Sequence, residues 1–293
     1  MRGHARPIAI AGVLALGVIL GLAGVPYLNA LPLILIYLGV IRAVPPKLAL
    51  IQPLEGIERS ELVAQLRWIL GYVIALILLA IPGSYLISLH PLLLFPDRVQ
   101  SGLMSWQHVF ASVVFGLLPA FYFVRRFRST GRQLGLTGIS GWGWIAPLIL
   151  IGLDTVLTAM GVFGGHNGTV PPPSLIAAAL AIALFGAAIP EELLFRALLQ
   201  TRLEAVYGRW IGIISTAALF GLMHAPQTLF LSSAGKSGPV SVVIGVLLGQ
   251  GVGGLIFGYV WTRYRNLWAL VAMHAVGDFI GFVAIFGGYI PLN

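Results

Sequence analysis

The stretch "SLIAAALAIALFGAAIPEELLFRALLQ", Ser174 to Gln200, decides the fold. From Ser174 to Ile189 it carries no charge; then Glu191, Glu192 and Arg196 follow inside a run that stays apolar. A membrane-spanning helix needs about 20 mostly apolar residues, so 175–197 reads as a span with ionisable groups built into it. A charge at the middle of a membrane helix costs at least ~2.5 kcal/mol on insertion scales, so such groups point to a functional site.

The remainder of the chain is equally apolar. Its 293 residues are 58% hydrophobic and 9% charged, with a mean hydropathy of +0.97, against about 25% charged residues in an ordinary soluble domain. Apolar windows fall at about residues 8–25, 29–41, 68–89, 108–124, 142–160, 175–197, 210–230, 239–262 and 267–287, the second being short. Backbone polar groups must be satisfied inside lipid, and the alternation of a barrel is missing. The expectation is therefore all-α: a polytopic transmembrane helical bundle of about 8–9 helices with no sizeable soluble domain. Its start reads as an uncleaved first span.

The formal charge of +8 points to topology rather than to nucleic acid, because the basic residues sit in clusters between apolar runs. Nine spans put Arg2, Arg6, Arg42, Lys47, "RRFRSTGR" (Arg125 to Arg132), Arg202, Arg209, Arg263 and Arg265 on one side. Arg98 and Lys236 fall on the other. That asymmetry predicts a multi-pass protein of the cell (plasma) membrane with a cytoplasmic N-terminus. The absence of cysteine excludes disulfides, thiol nucleophiles and thiolate metal sites.

Two parts are expected. Residues 1–174 hold N-terminal transmembrane helices and a cytoplasmic interfacial helix in "IQPLEGIERSELVAQLRW", Ile51 to Trp68. The Gly- and Pro-rich "GVFGGHNGTVPPPS", Gly161 to Ser174, reads as an external loop before a core at 175–293. Within that core glycines recur four apart at Gly245, Gly249 and Gly253, and again at Gly254 and Gly258, a spacing that brings membrane helices close.

The ionisable residues inside the spans are Asp154, Glu191, Glu192, Arg196, His224, His274 and Asp278. On a helix Glu192 and Arg196 are four apart and can pair. Glu191 points about 100° away and is left for chemistry. Gly208 lies 17 residues after Glu191 and 16 before His224, so a hairpin turning there brings the two to similar depth. Phe220 shares a face with His224, and His274 with Asp278, each pair being four apart. One His or acid in a span is more often a satisfied structural group than a catalyst. Three helices each bringing such a pair call for more than that. Asp154 has no partner in this set and is given a structural role or one of supporting the site's residues from behind; His4, His90, His108 and His166 lie near ends or loops and are given none.

The three pieces resemble the CAAX prenyl protease and bacteriocin-processing (CPBP) family of intramembrane proteases, also known as the Abi family. Its pattern is EExxxR, FxxxH and HxxxN or HxxxD on successive membrane helices, matched here by Glu191, Glu192 and Arg196, by Phe220 and His224, and by His274 and Asp278. The resemblance covers about 175–287 and implies an endopeptidase that hydrolyses a peptide bond in or beside the membrane. It implies that Glu191, assisted by His224, activates water, that His274 and Asp278 steady the oxyanion, and that Glu192 and Arg196 hold their helix in place. Asp278 stands where the prenyl-protein proteases of the family have Asn; ionised, it accepts hydrogen bonds and does not donate them. No cofactor is favoured. A divalent metal such as zinc would take Glu191, His224 and His274 as ligands, although the HExxH pattern is absent. The partners implied are a membrane-associated peptide or protein substrate and the lipid bilayer, with no nucleic acid.

Other classes fit the same residues less well. "GKSG", Gly235 to Gly238, has the form of a rhomboid-like serine site but sits in a loop, and "AVGD", Ala275 to Asp278, lacks a partner aspartate for an aspartyl site. A transporter also gathers ionisable groups near the midplane, yet the polar cluster is not repeated in the two halves. A membrane scaffold or immunity protein that has kept the fold without proteolysis is the remaining alternative.

Overall fold

A computed structural model describes residues 39, 41, 54, 56–89, 110, 112–136, 144–145, 147–152, 155–156 and 169–287. By contacts the chain divides into Met1–Pro45 and Pro46–Asn293, and the helices from Arg59 onward belong to the second unit. Its regular structure, among the described residues, is helical. In chain order the helices are α1 (Arg59–Leu89), α2 (Val113–Leu117 continued by Leu118–Arg126), α3 (Pro173–Tyr207), α4 (Arg209–Met223), α5 (Ala225–Leu231), α6 (Pro239–Tyr264) and α7 (Leu267–Phe286).

Among the described residues, five helical stretches are long and apolar enough to cross a membrane: Arg59–Leu86, Pro173–Tyr207, Arg209–Phe230, Pro239–Tyr264 and Leu267–Phe286. The protein is a multi-pass membrane protein. The expected count of eight or nine is not reached: the window at 8–25 lies outside the described residues, as do nearly all of 29–41 and much of 142–160. Residues 59–68, read from sequence as part of an interfacial helix, form the first turns of α1 itself. They are held there because Leu62 and Leu66 are buried and Gln65 bonds to α3.

The helix that carries the first motif is not a regular α-helix. Pro190 lacks an N–H and its ring crowds the carbonyl four residues back. The turns on either side, Ile182–Ala188 and Glu192–Gln200, widen to π geometry, in which Ile189 N–H bonds to Leu184 O and Thr201 N–H to Arg196 O. Local π turns of this kind recur at functional sites. On the outside, Gly116 of α2 makes room for the proline, since a Cβ there would stand 2.9 Å from Pro190 Cβ.

Antiparallel neighbours then follow from two tight turns. Gly208, at φ 92°, reverses the chain between α3 and α4 as the spacing predicts. Arg265 in the left-handed region ends α6, and Asn266 caps α7 by accepting from Ala269 N–H at 3.0 Å. Of the two glycine rows, the second is used in helix packing: a Cβ on Gly254 would stand 3.1 Å from Ala217 Cα and one on Gly258 2.9 Å from Gln200 Oε1. Gly245, Gly249 and Gly253 meet nothing within 4 Å. The segment after α2 docks on the α6–α7 turn through Leu267 N–H bonding to Gly135 O at 3.0 Å. Gly135 has φ +67°, and a Cβ there would lie 2.6 Å from Arg265 O. Gly135→Ala is therefore expected to destabilise the fold by about 2 kcal/mol, read as a lowered melting temperature in detergent; an unchanged midpoint would remove this docking from the account.

One end of α3 is tied down by buried polar groups, each of which finds partners as an apolar surrounding demands. Gln200 Nε2 donates to Gly258 O at 2.8 Å and Glu204 Oε1 at 2.7 Å. Trp261 Nε1 donates to Thr201 Oγ1 at 3.0 Å. Arg202, 2% exposed, donates to Gln65 Oε1, Leu198 O and Ser129 Oγ, joining α1, α3 and the segment after α2. Arg265 completes the layer through Glu204 and Thr201. The arginines grouped by the sequence reading at 125–132, 202, 209, 263 and 265 thus sit at one end of the helices, and Lys236 follows the opposite end of α4.

Candidate active site

Glu191 and Glu192 sit where α3 passes from Pro190 into its second wide turn, and they face different neighbours. Glu192 and Arg196 are both fully buried, and they meet as an ion pair at 3.4 Å between Oε2 and Nε rather than through a hydrogen bond. Two aromatic faces carry the rest of the guanidinium: Arg196 Cζ is 4.6 Å from the centroid of Phe220 and 5.9 Å from that of Phe257. In a dry site a cation over an aromatic ring contributes ~2 kcal/mol.

Glu192 also has a partner that spacing along the helix does not reveal. Its Oε1 accepts from His274 Nδ1 at 2.8 Å, across 82 residues of chain. The other edge of the same ring faces two more carboxylates: Nε2 is 3.4 Å from Asp278 Oδ2 and 3.7 Å from Glu191 Oε2. Glu191 Oε2 is shielded from solvent and has no hydrogen-bond partner. Side-chain exposure rises from 0% at Glu192 through 18% at Glu191 to 35% at Asp278, so the cluster opens at the Asp278 side.

His224 is positioned by a break in its own helix. Pro226 has no N–H to continue α4, and His224 N–H turns to Gly221 O at 3.1 Å in place of the regular fourth-residue carbonyl. The freed Phe220 carbonyl accepts from His224 Nδ1 at 2.9 Å. Because a carbonyl only accepts, Nδ1 carries the hydrogen, and in the neutral ring Nε2 presents its lone pair. The break places His224 at a joint, with Thr228 Oγ1 donating to the His224 carbonyl at 2.9 Å.

Phe220 is the hub of the cluster. Its ring meets those of Phe195, His224 and His274 edge to face at centroid distances of 5.3, 5.1 and 6.1 Å. Glu191 lies within electrostatic reach of both His224 and His274. All seven residues singled out by sequence, Glu191, Glu192, Arg196, Phe220, His224, His274 and Asp278, are thus brought together, from α3, the α4–α5 joint and α7. Asp154 and the histidines at 4, 90, 108 and 166 lie outside the described residues. Sequence reasoning missed Phe257, whose ring stands 5.6 Å from His274 and forms the second wall around Arg196. A lone phenylalanine in the glycine-rich α6 gives no signal by spacing.

As the side chains stand, no three His or carboxylate groups among the described residues are grouped to hold a metal ion.

No curated protein and no solved structure matches the chain. Residues 173–280, which carry all three motifs, match the model of the family described as type II CAAX prenyl endopeptidase Rce1-like, and this part of the chain is similar to that family.

Proposed function

We propose that the protein is an intramembrane endopeptidase in which Glu191 is the general base. The observation that carries this reading is Glu191 Oε2, buried, unbonded and 3.7 Å from His274 Nε2 among groups suited to peptide hydrolysis. A buried acceptor at that separation from a neighbour is suited to a bridging water. Glu191 takes one proton of that water, and its oxygen attacks the carbonyl carbon of the substrate peptide bond. His274, oriented at Nδ1 by Glu192 and protonated at Nε2, donates to the oxyanion that forms. Donors placed in this way contribute about 3 kcal/mol of transition-state stabilisation. Collapse of the tetrahedral intermediate breaks the C–N bond, and the proton held by Glu191 passes to the leaving amine. His224 orients the water through Nε2. Asp278 holds the Nε2 edge of His274 from the open side, and Glu192 with Arg196 fixes the first helix.

The substrate is a membrane-associated peptide or protein that reaches the site from the Asp278 side, and the arginine-rich end of the bundle faces the cytoplasm of a plasma-membrane protein. Purified protein in lipid is expected to cleave such a peptide. His224→Ala is expected to lower the rate about 100-fold or more with an unchanged melting temperature. Cleavage that persists at full rate in that variant excludes the role given to His224. Strong chelators are expected to leave the wild-type rate unchanged; a rate that falls on chelation and returns on adding zinc would replace this mechanism with a metal-dependent one. Substrate flux without cleavage would make the protein a transporter.

A further inference from the structure

The turns at the far end of α3 and α6 hold a second group of charges with no part in the chemistry above. Arg202 and Arg265 are matched by protein partners there, whereas Arg209 is not. Its Nε and Nη2 are shielded from solvent yet make no hydrogen bond, and its guanidinium lies 5.5 Å from the centroid of Trp210 and 5.0 Å from that of Tyr259. Those rings stack with centroids 6.1 Å apart, so the cation is held in a fixed place at the surface of the bundle.

The neighbours add positive charge. Arg263 lies one turn beyond Tyr259 on the same face of α6, and Arg265 is close enough for the charge of Arg209 to act on it. The carboxylate of this turn, Glu204, is already engaged by Arg265, Thr262 and Gln200. A sheltered guanidinium with unbonded N–H groups is costly unless an anion meets it. Tyr207, Trp210 and Trp268, 51%, 40% and 49% exposed, surround the same end. Exposed Trp and Tyr at helix ends mark the level of lipid headgroups.

We propose that Arg209, with Arg263 and Arg265 beside it, binds the phosphate of an anionic phospholipid at this end of the bundle. The guanidinium of the partly exposed Arg209 donates to the phosphate oxygens from its open side, while Trp210 and Tyr207 lie against the glycerol and the upper acyl chains. Arginine is suited to this task by its planar set of donors. The site is about the length of one helix arm away from Glu191, so lipid binding is separable from proteolysis.

The full chain in neutral detergent is titrated with phosphatidylglycerol, with phosphatidylcholine and with inorganic phosphate, and bound species are counted by native mass spectrometry. The wild type is expected to retain phosphatidylglycerol over phosphatidylcholine, more weakly as salt is raised. Arg209→Gln is expected to lower the apparent affinity about fivefold or more, Arg209→Lys to restore part of it, and Lys236→Gln at the opposite end to leave it unchanged. Melting temperatures of the variants without lipid separate lost binding from lost folding. Equal retention of the two lipids overturns the proposal, as does wild-type affinity in Arg209→Gln. Displacement of the lipid by inorganic phosphate at comparable concentration would reassign the site to a free anion.

Discussion

Glu191→Gln is expected to reduce cleavage of a membrane-associated peptide about 1,000-fold or more, while the protein melts at the same temperature as the wild type or higher. The substitution keeps the shape of the side chain and its place at the start of the wide turn, and it removes the ability to take a proton from water. Glu191 makes no hydrogen bond through its buried Oε2, so what that atom loses is its 3.7 Å approach to His274 Nε2. Three carboxylates, Glu191, Glu192 and Asp278, gather about His274. Making one of them neutral relieves repulsion among them, and a gain in stability with loss of activity is the usual sign of a strained functional group. Full activity in Glu191→Gln would transfer the base to another residue, and the remaining candidate is His224. A variant that is inactive because it does not fold would show itself in the melting curve.

The site was more legible in the sequence than the fold around it. Charged and imidazole groups are so rare in these spans that the three motifs stand out, and a count from Gly208 suffices to place Glu191 and His224 at one depth. What spacing along one helix cannot show is contact between helices. Glu192 reads as the partner of Arg196 alone, yet His274, which meets it at 2.8 Å, sets the orientation of the site. Phe257 is invisible for the same reason. The widened turns around Pro190 have a sequence cause, but a proline in a helix permits a kink, a start or a π turn, and only the packing of Gly116 and α7 selects among these. Pro226, with its missing N–H two residues after His224, is a sequence cause for the end of α4 that reading 210–230 as one span passes over.

Arg196 tests whether the first motif is a scaffold or part of the chemistry. Arg196→Leu is expected to destabilise the protein by about 3–5 kcal/mol, because it leaves the fully buried Glu192 carboxylate with one partner, His274. Glu192→Leu alone is expected to be similarly costly, since it strands the guanidinium between Phe220 and Phe257. Replacing both by leucine removes both charges together, and the double variant is expected to be more stable than the sum of the single changes by about 2 kcal/mol or more. Arg196→Lys is not conservative here: an ammonium cannot spread over two aromatic faces as the planar group does. The measurement is a thermal or denaturant melt in one detergent across the cycle, followed by cleavage of the same peptide. If the two substitutions prove additive, the pair is not what holds α3. If the double variant folds well but has lost cleavage, the value of Glu192 lies in its bond to His274, and the ion pair serves the chemistry by fixing that carboxylate in place.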